Sequence, residues 1–472
     1  MAGSIARFVE TIADRCGPKA IVTDPSDIEP WLTDWRGRYR GNARAILAPA
    51  STDEVVEIVR LAAEHRVPLV PQGGNTSMVG GATPPADRSA LILSLRRMNR
   101  IRSISAESSI AIAESGVILA DLHDQAAAIG RRFPLTLGAK GSCTIGGLTS
   151  TNAGGTQVLR FGTMRSLIAG VEAVFADGST HSGLSALKKD NRGYNLDQLL
   201  IGSEGTLGVI TAVALKLVPA VYSRAVAWVG LASPDDALSL LRFCEARTDR
   251  IEGFELIPAD CLSLVLDHIP GTRSPLERQH PWNVLIEATS DREELNPSDL
   301  LQSLLAEAMA AKLIEDATIA ANEAQAEAFW KLRDGIAEAE RAAGPSAAHD
   351  VSVPVSDMPR FITEASAAVE AAFPGTRASA FGHLGDGNVH FHVRGPAGSG
   401  ANWLNDTGPA VLRFVNDLVT QAGGSISAEH GIGQMKRAEL ERLGNPGDLA
   451  AMRAIKLALD PLGIMNPGKL VN

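Results

Sequence analysis

Three of the chain's ten histidines fall within one short stretch, Phe381-Gly382-His383-Leu384-Gly385-Asp386-Gly387-Asn388-Val389-His390-Phe391-His392-Val393. Residues 385–388 read as a turn. A hairpin closed there sets Leu384 opposite Val389 and His383 opposite His390. Directly opposed residues have Cβ atoms roughly 5 Å apart, which suits two imidazoles sharing one metal ion. Alternation along a strand also puts His390 and His392 on one face. A polar hairpin surface is the plainer alternative, and the clustering around a glycine turn weighs against it. Farther on, residues 423–433 read GGSISAEHGIG. Glu429 is a candidate third ligand, because two histidines and a carboxylate leave open positions on a divalent ion, as catalysis requires. His430, beside it, is a candidate general base, since imidazole suits proton removal near neutral pH. A solvated loop is the alternative for this pair.

A fourth candidate lies on a helix expected from about residue 323 to residue 343. There Phe329, Trp330, Arg333 and Ala337 fall near one face. Arginine on such a face usually packs its stem and wets its head. A guanidinium aimed into a pocket would instead grip a carboxylate through two parallel bonds.

The elements that must position these residues are glycine-rich. Residues 138–155 read GAKGSCTIGGLTSTNAGG, with glycine at 138, 141, 146, 147, 154 and 155. So bare a backbone can approach a ligand closely and aim N–H groups at anionic oxygens. Its expected ligand is the diphosphate and ring of a flavin; a glycine-rich surface loop is the alternative. Upstream, a helix capped by Thr52 and running through Val59 leads to a strand at residues 67–70. Pro71-Gln72-Gly73-Gly74-Asn75-Thr76-Ser77 follows, with Gly80 and Gly81 close behind. That loop runs on to another strand at 91–95, so it lacks the helix of a Rossmann fingerprint and would rely on backbone N–H groups and on Asn75, Thr76 and Ser77. A third loop, Gly202-Ser203-Glu204-Gly205-Thr206-Leu207-Gly208-Val209-Ile210, enters a long strand ending at Pro219. Chance explains one such loop easily and three poorly. Beyond Pro219, strands at 226–231 and 284–288 mix with long helices, which points to an α+β second domain.

At 472 residues, two or three domains are expected. With 45% hydrophobic and 21% charged residues, the composition is that of a globular protein. A net charge of −10 argues against nucleic acid as main partner. No apolar run is long enough for a bilayer span, and the N-terminus reads as an amphipathic helix, not a secretory signal. Cys16, Cys143, Cys244 and Cys261 show no paired spacing, which fits a reducing compartment. Residues 463–470, GIMNPGKL, miss a P-loop because Leu470 stands where Ser or Thr must bind magnesium.

Taken together, the motifs resemble the FAD-linked oxidases and dehydrogenases of the vanillyl-alcohol oxidase (PCMH-type) superfamily, and within it the D-lactate and D-2-hydroxyglutarate dehydrogenase group. PQGGNTSMVGGA, GSCTIGGLTSTNAGG and IGSEGTLGVIT are similar to its three flavin loops. GHLGDGNVHFHV is similar to its metal hairpin, SAEHGIG to its catalytic segment and LDPLGIMNPGK to its closing segment. The resemblance implies an α+β fold: a two-part FAD-binding domain over residues 1–220, a ferredoxin-like substrate domain over 221–425 carrying the metal hairpin, and a segment 426–472 returning to the flavin. It implies non-covalent FAD, since no histidine lies between Pro71 and Ala82. The flavin would be held by Pro71, Gly73, Gly74, Asn75, Thr76, Ser77, Gly80, Gly81, Gly138, Gly141, Ser142, Thr144, Gly146, Gly147, Asn152, Gly154, Gly155, Glu204, Gly205, Gly208, Val209, Ile210 and Asn466. It implies a divalent metal, zinc first, on His383, His390 and Glu429, holding the substrate's hydroxyl and carboxylate. His430 would take the hydroxyl proton while hydride leaves C2 for flavin N5.

Arg333, in WKLRDG, matches the group's substrate arginine. Three neighbours depart from its pattern: Ala337 replaces a threonine, Ala348-His349-Asp350 stands where a lysine precedes an aspartate, and His392 replaces an asparagine. His349 and His392 are the candidates to compensate at the substrate's far carboxylate. D-2-hydroxyglutarate is the leading substrate, with D-lactate and D-malate next. An oxygen-using oxidase of the same fold and a flavin electron-transfer subunit without its own substrate are the competing readings. The expected electron acceptor is an electron-transfer flavoprotein, a quinone or a cytochrome. A cytoplasmic enzyme is expected, peripheral to a membrane where its acceptor requires it, with a homodimer as the prior.

Overall fold

The computed structural model describes residues 2–400 and 402–471. It divides into two compact units: residues 1–155, 162–220 and 429–472 form one, and residues 156–161 and 221–428 the other.

The first unit holds two larger sheets and a two-stranded one that pairs Arg131–Arg132 with Val218–Pro219. In one, the strands run in the order Ile21–Val22, Ile46–Leu47, Leu91–Ser94, Leu69–Gln72, and the last two pair in parallel. The other is antiparallel, in the order Ile101–Ser105, Ile110–Glu114, Val209–Lys216, Ile168–Val174, Thr180–Ser182. The helix Thr52–His65 buries Val55, Ile58, Val59, Leu61 and Ala62 in a core shared with Leu69, Leu91, Leu93 and Val174. Its N-cap is Ser51 rather than Thr52: the Ser51 hydroxyl accepts from the Glu54 N–H at 3.2 Å. The N-terminal segment is a helix, Ala2–Cys16, with Phe8 and Ile12 buried. The glycine stretch 138–155 is not all loop. Ile145–Thr151 is a helix capped by Thr144, and Ile145 and Leu148 are buried.

The second unit is one seven-stranded antiparallel sheet. Its first four strands in the chain are Ser223–Leu231, Ile251–Pro258, Trp282–Ser290 and Asp316–Ile319. They lie in the spatial order fourth, first, third, second. The helices Pro234–Glu245 and Pro297–Ala310 connect the first to the second and the third to the fourth, which is the ferredoxin-like connection. Arg377–His383, Asn388–Arg394 and Ser346–Ser352 extend the sheet beyond Ile251–Pro258. One face carries the larger core, to which Pro234–Glu245, Pro297–Ala310, Met358–Ala372 and Gly408–Gln421 contribute. The other face packs Ala259–His268, Glu323–Asp334 and Ile336–Ala343 through Val265, Phe329, Leu332, Ile336 and Phe381. The single helix expected over 323–343 is therefore two, broken at Gly335, which ends the first and caps the second. Among the described residues, no helix is long and apolar enough to cross a membrane.

Candidate active site

The strands Arg377–His383 and Asn388–Arg394 pair with His383 opposite Asn388, Gly382 opposite Val389 and Phe381 opposite His390. The register is thus two residues from the one expected, with a turn over residues 384–387. A two-residue shift keeps every side chain on its face. His383 and His390 are therefore diagonal neighbours on one face, with ring centroids 5.4 Å apart. Glu429 joins them through the chain itself. Ser352 and Ser425 exchange backbone hydrogen bonds of 2.8 and 3.0 Å, the Ala428 N–H donates to the Asp350 carbonyl, and Glu429 is the next residue. One ligand atom from each of His383, His390 and Glu429 lies within 4.8 Å of the other two. Burial, then the positive charges of His383 and Arg333, push His390 well below the ordinary imidazole range. A neutral imidazole has a lone pair to offer a metal, so His390, with a second imidazole and a carboxylate beside it, fits a divalent ion.

A residue missed at the sequence level stands behind this trio. Glu255, in Ile251–Pro258, is 1% exposed. One carboxylate oxygen meets His383 Nδ1 at 2.6 Å, and the other accepts from Arg333 Nε at 2.8 Å. Burial alone would raise its pKa; the charges of Arg333 and then His383 outweigh that and hold the carboxyl down at about 2. Arg333 is thus gripped by the sheet beneath it, and its Nη2 lies 3.2 Å from His383 Nε2.

His392 lies on the metal face. The Phe381 ring stands 5.2 Å from both His390 and His392. Across the strands His392 faces Ala348 on one side and Ser379 on the other, so the imidazole sits beside a residue with little bulk. Its Nδ1 is 3.8 Å from the Glu340 carboxylate, which Arg394 Nε also approaches at 3.6 Å. His349 is elsewhere. It pairs with Phe391, its Nδ1 donates to the Phe391 carbonyl at 2.9 Å, and it faces the larger core on the opposite side of the sheet. The structure does not bring His349 to the metal face.

In the first unit, the loop after Leu69–Gln72 fits an anionic ligand. The backbone N–H groups of residues 73–77 donate to no protein acceptor among the described residues, and Asn75 adopts φ 54°. Consecutive N–H groups in such a turn form an anion-binding concavity. Many of the expected flavin glycines serve packing between loops. A Cβ at Gly74 would stand 1.9 Å from the Ser142 carbonyl oxygen, and one at Gly73 2.2 Å from Thr144 Oγ1. Gly138 and Gly141 instead border open space. Asn466 braces the site: its Nδ2 donates to the carbonyls of Gly81 and Glu204 at 3.0 and 2.7 Å. Its Oδ1 is buried and accepts no hydrogen bond among the described residues, as suits a residue facing a bound group.

Glu204, expected at the flavin, has its carboxylate engaged elsewhere. Its two oxygens accept the N–H groups of Ile432 and Gly433, each at 2.7 Å. Burial pushes this carboxyl above its usual range against the pull of those donors. The clamp fixes the turn that follows His430. Replacing Glu204 by alanine leaves two buried donors unmatched, at ~1–3 kcal/mol each. Chemical denaturation of the FAD-loaded protein is expected to show a loss of about 2–5 kcal/mol. An unchanged midpoint would mean the clamp is idle.

Residues 222–470 match the family model for FAD linked oxidases, C-terminal domain, and residues 43–183 that for an FAD binding domain. The mitochondrial D-2-hydroxyglutarate dehydrogenase of Bos taurus is 38% identical over 459 residues, 97% of this chain and 82% of that protein. A putative mitochondrial D-lactate dehydrogenase of Schizosaccharomyces pombe is 35% identical, over 95% of this chain and 86% of its own length. Among solved structures, p-cresol methylhydroxylase with substrate bound superposes with a TM-score of 0.77 over 99% of this chain and 97% of that one, at 16% identity, a likeness of fold. The chain belongs to the FAD-linked oxidase family, in the group of D-2-hydroxyglutarate and D-lactate dehydrogenases, and is an FAD-dependent oxidoreductase of CH–OH groups.

Proposed function

We propose that the chain oxidises a D-2-hydroxy acid to the 2-oxo acid with His383, His390 and Glu429 as metal ligands and His430 as base. The observation that carries this is the convergence of those three ligand atoms within 4.8 Å, with His430 the next residue in the chain. FAD, when bound, supplies the two-electron acceptor for the C2 hydride. A divalent ion on the three ligands, zinc first, supplies positive charge for the substrate's carboxylate and hydroxyl. The rest falls to the chain. His430 takes the hydroxyl proton on a ring nitrogen as the C2 hydride departs, so that two electrons and one proton leave with the hydride and one proton stays on imidazole. Arg333, held by Glu255 beside His383, supplies the guanidinium for a substrate oxygen. His392, beside His390 on the same face, borders the substrate's far end.

D-2-hydroxyglutarate leads as substrate on similarity, and D-lactate and D-malate follow as alternatives, because Ala337, Ala348 and His392 depart from the pattern of the D-2-hydroxyglutarate enzymes around the far carboxylate. Transfer onward to an electron-transfer flavoprotein, a quinone or a cytochrome completes the cycle. The four free cysteines support a reducing, cytoplasmic setting.

The test is an anaerobic visible spectrum of the FAD-loaded protein. Addition of D-2-hydroxyglutarate is expected to bleach the flavin within seconds, faster than D-lactate in a parallel sample. A flavin that stays oxidised with D-2-hydroxyglutarate, D-lactate and D-malate alike would overturn the reading.

A further inference from the structure

A buried carboxylate that touches both a candidate metal ligand and a candidate substrate residue has more to do than hold the sheet together. Glu255 lies in a strand whose eight residues are all buried. Charge in such a place is costly unless fully matched. Here the match is divided. Oε1 faces His383 Nδ1 at 2.6 Å and Oε2 faces Arg333 Nε at 2.8 Å. Both partners lie on the same face of the second unit: His383 ends the neighbouring strand, directly opposite Glu255, and Arg333 comes from the helix Glu323–Asp334.

We propose that Glu255 is a positioning residue that sets His383 and Arg333 at once, and so links metal affinity to the placement of the substrate-binding guanidinium. A hydrogen bond from Nδ1–H to the carboxylate fixes the tautomer and puts the lone pair on Nε2, the atom that would bind metal and that Arg333 Nη2 approaches at 3.2 Å. The same bond fixes the ring plane. On the other side, one oxygen on Arg333 Nε holds the guanidinium by its inner edge, with Nη2 against the His383 ring. A single acid thereby sets the angle between the two groups that must meet one substrate.

The inference rests on the metal reading above, and the experiment separates the two. The full-length FAD-loaded protein is stripped with a chelator and titrated with Zn2+ against a chromogenic competitor. The wild type, Glu255→Gln, Arg333→Gln and the double variant are compared, with flavin content and melting temperature as controls. Glu255→Gln keeps the shape but cannot accept from both partners as a carboxylate does. Its Zn2+ affinity is expected to fall 10–100-fold, with KM for the hydroxy acid rising as Arg333 loosens. Arg333→Gln is expected to raise KM while leaving the Zn2+ dissociation constant within about threefold. The double variant removes both members of the buried pair, so no lone charge is left to unfold the strand. It is expected to show the same metal loss and serves if Glu255→Gln does not fold. Zn2+ affinity unchanged in Glu255→Gln or in the double variant would overturn the proposal, as would an equal loss in Arg333→Gln. A wild type that binds no Zn2+ would instead sink the metal reading.

Discussion

Replacing His430 by glutamine is expected to lower kcat/KM by ~10²–10⁴, the range that a positioned general base contributes. That is about 2.7–5.4 kcal/mol of transition-state stabilisation at 1.36 kcal/mol per decade. The size of the effect depends on how firmly the base is held. Its segment is fixed on the C-terminal side by contacts far apart in the chain. Glu204 takes the N–H groups of Ile432 and Gly433. The Val79 carbonyl accepts from Gln434, and the Gly433 carbonyl accepts from Leu470. Gly431 and Gly433 adopt φ +80° and +52°, and a Cβ at Gly433 would stand 2.3 Å from the Val79 carbonyl oxygen. A backbone so pinned keeps its geometry when the imidazole is exchanged for an amide. The variant should therefore keep its flavin and melting temperature and lose rate alone. In the anaerobic spectrum its flavin bleaches in minutes to hours instead of seconds. Reduction within fivefold of the wild-type rate would remove His430 from the role of base.

Much of this site is legible in the sequence, and the illegible part has a common physical cause. Alternation fixes the face of His383, His390 and His392 regardless of the turn, because a strand has period two. The turn expected over 385–388 is displaced to 384–387, yet the histidines stay on one side. Alternation also separates His349 from them. In Ser346–Ser352, Ala348 and Asp350 oppose His392 and His390, which puts His349 on the other side. The two buried acids are another matter. Glu255 finds its partners 78 and 128 residues away, and Glu204 its partners 228 and 229 residues away. No local pattern encodes such a distance. What the sequence does carry is the anomaly itself: Glu252 and Glu255 interrupt an otherwise apolar strand, and a buried charge needs a partner. Glu252 meets that need with Arg160 at 2.5 Å. The glycine stretches mislead in the opposite direction. Gly73, Gly74, Gly146 and Gly155 look like ligand-facing backbone, but a Cβ at any of them would collide with Thr144, Ser142, Ser115 or Thr136. Their bareness is needed so that the loops can pack against one another.

Removing the metal should slow the reaction on the same scale as removing the base. Two independent routes test this. Dialysis of the FAD-loaded protein against a strong chelator is expected to reduce turnover by at least about 10²-fold, since the positive charge that stabilises developing alkoxide is worth several kcal/mol. Zn2+, or another divalent ion accepted by a His/His/Glu set, should restore it. His390→Ala takes away a half-buried imidazole, so it loses a ligand and leaves a gap beside Phe381 and His383. Restoration by added Zn2+ is then expected to fail, while the flavin loop at residues 73–77, in the first unit, is untouched and FAD content stays at the wild-type level. The contrast matters because chelation alone could remove a structural ion. Loss of turnover with flavin retained, rescue by metal in the wild type and no rescue in His390→Ala place the ion in the reaction. Full turnover after stripping, with metal content shown to be below one atom in ten molecules (~10%), would leave His430 and the flavin to do the work without an ion and would reduce His383, His390 and Glu429 to a polar cluster.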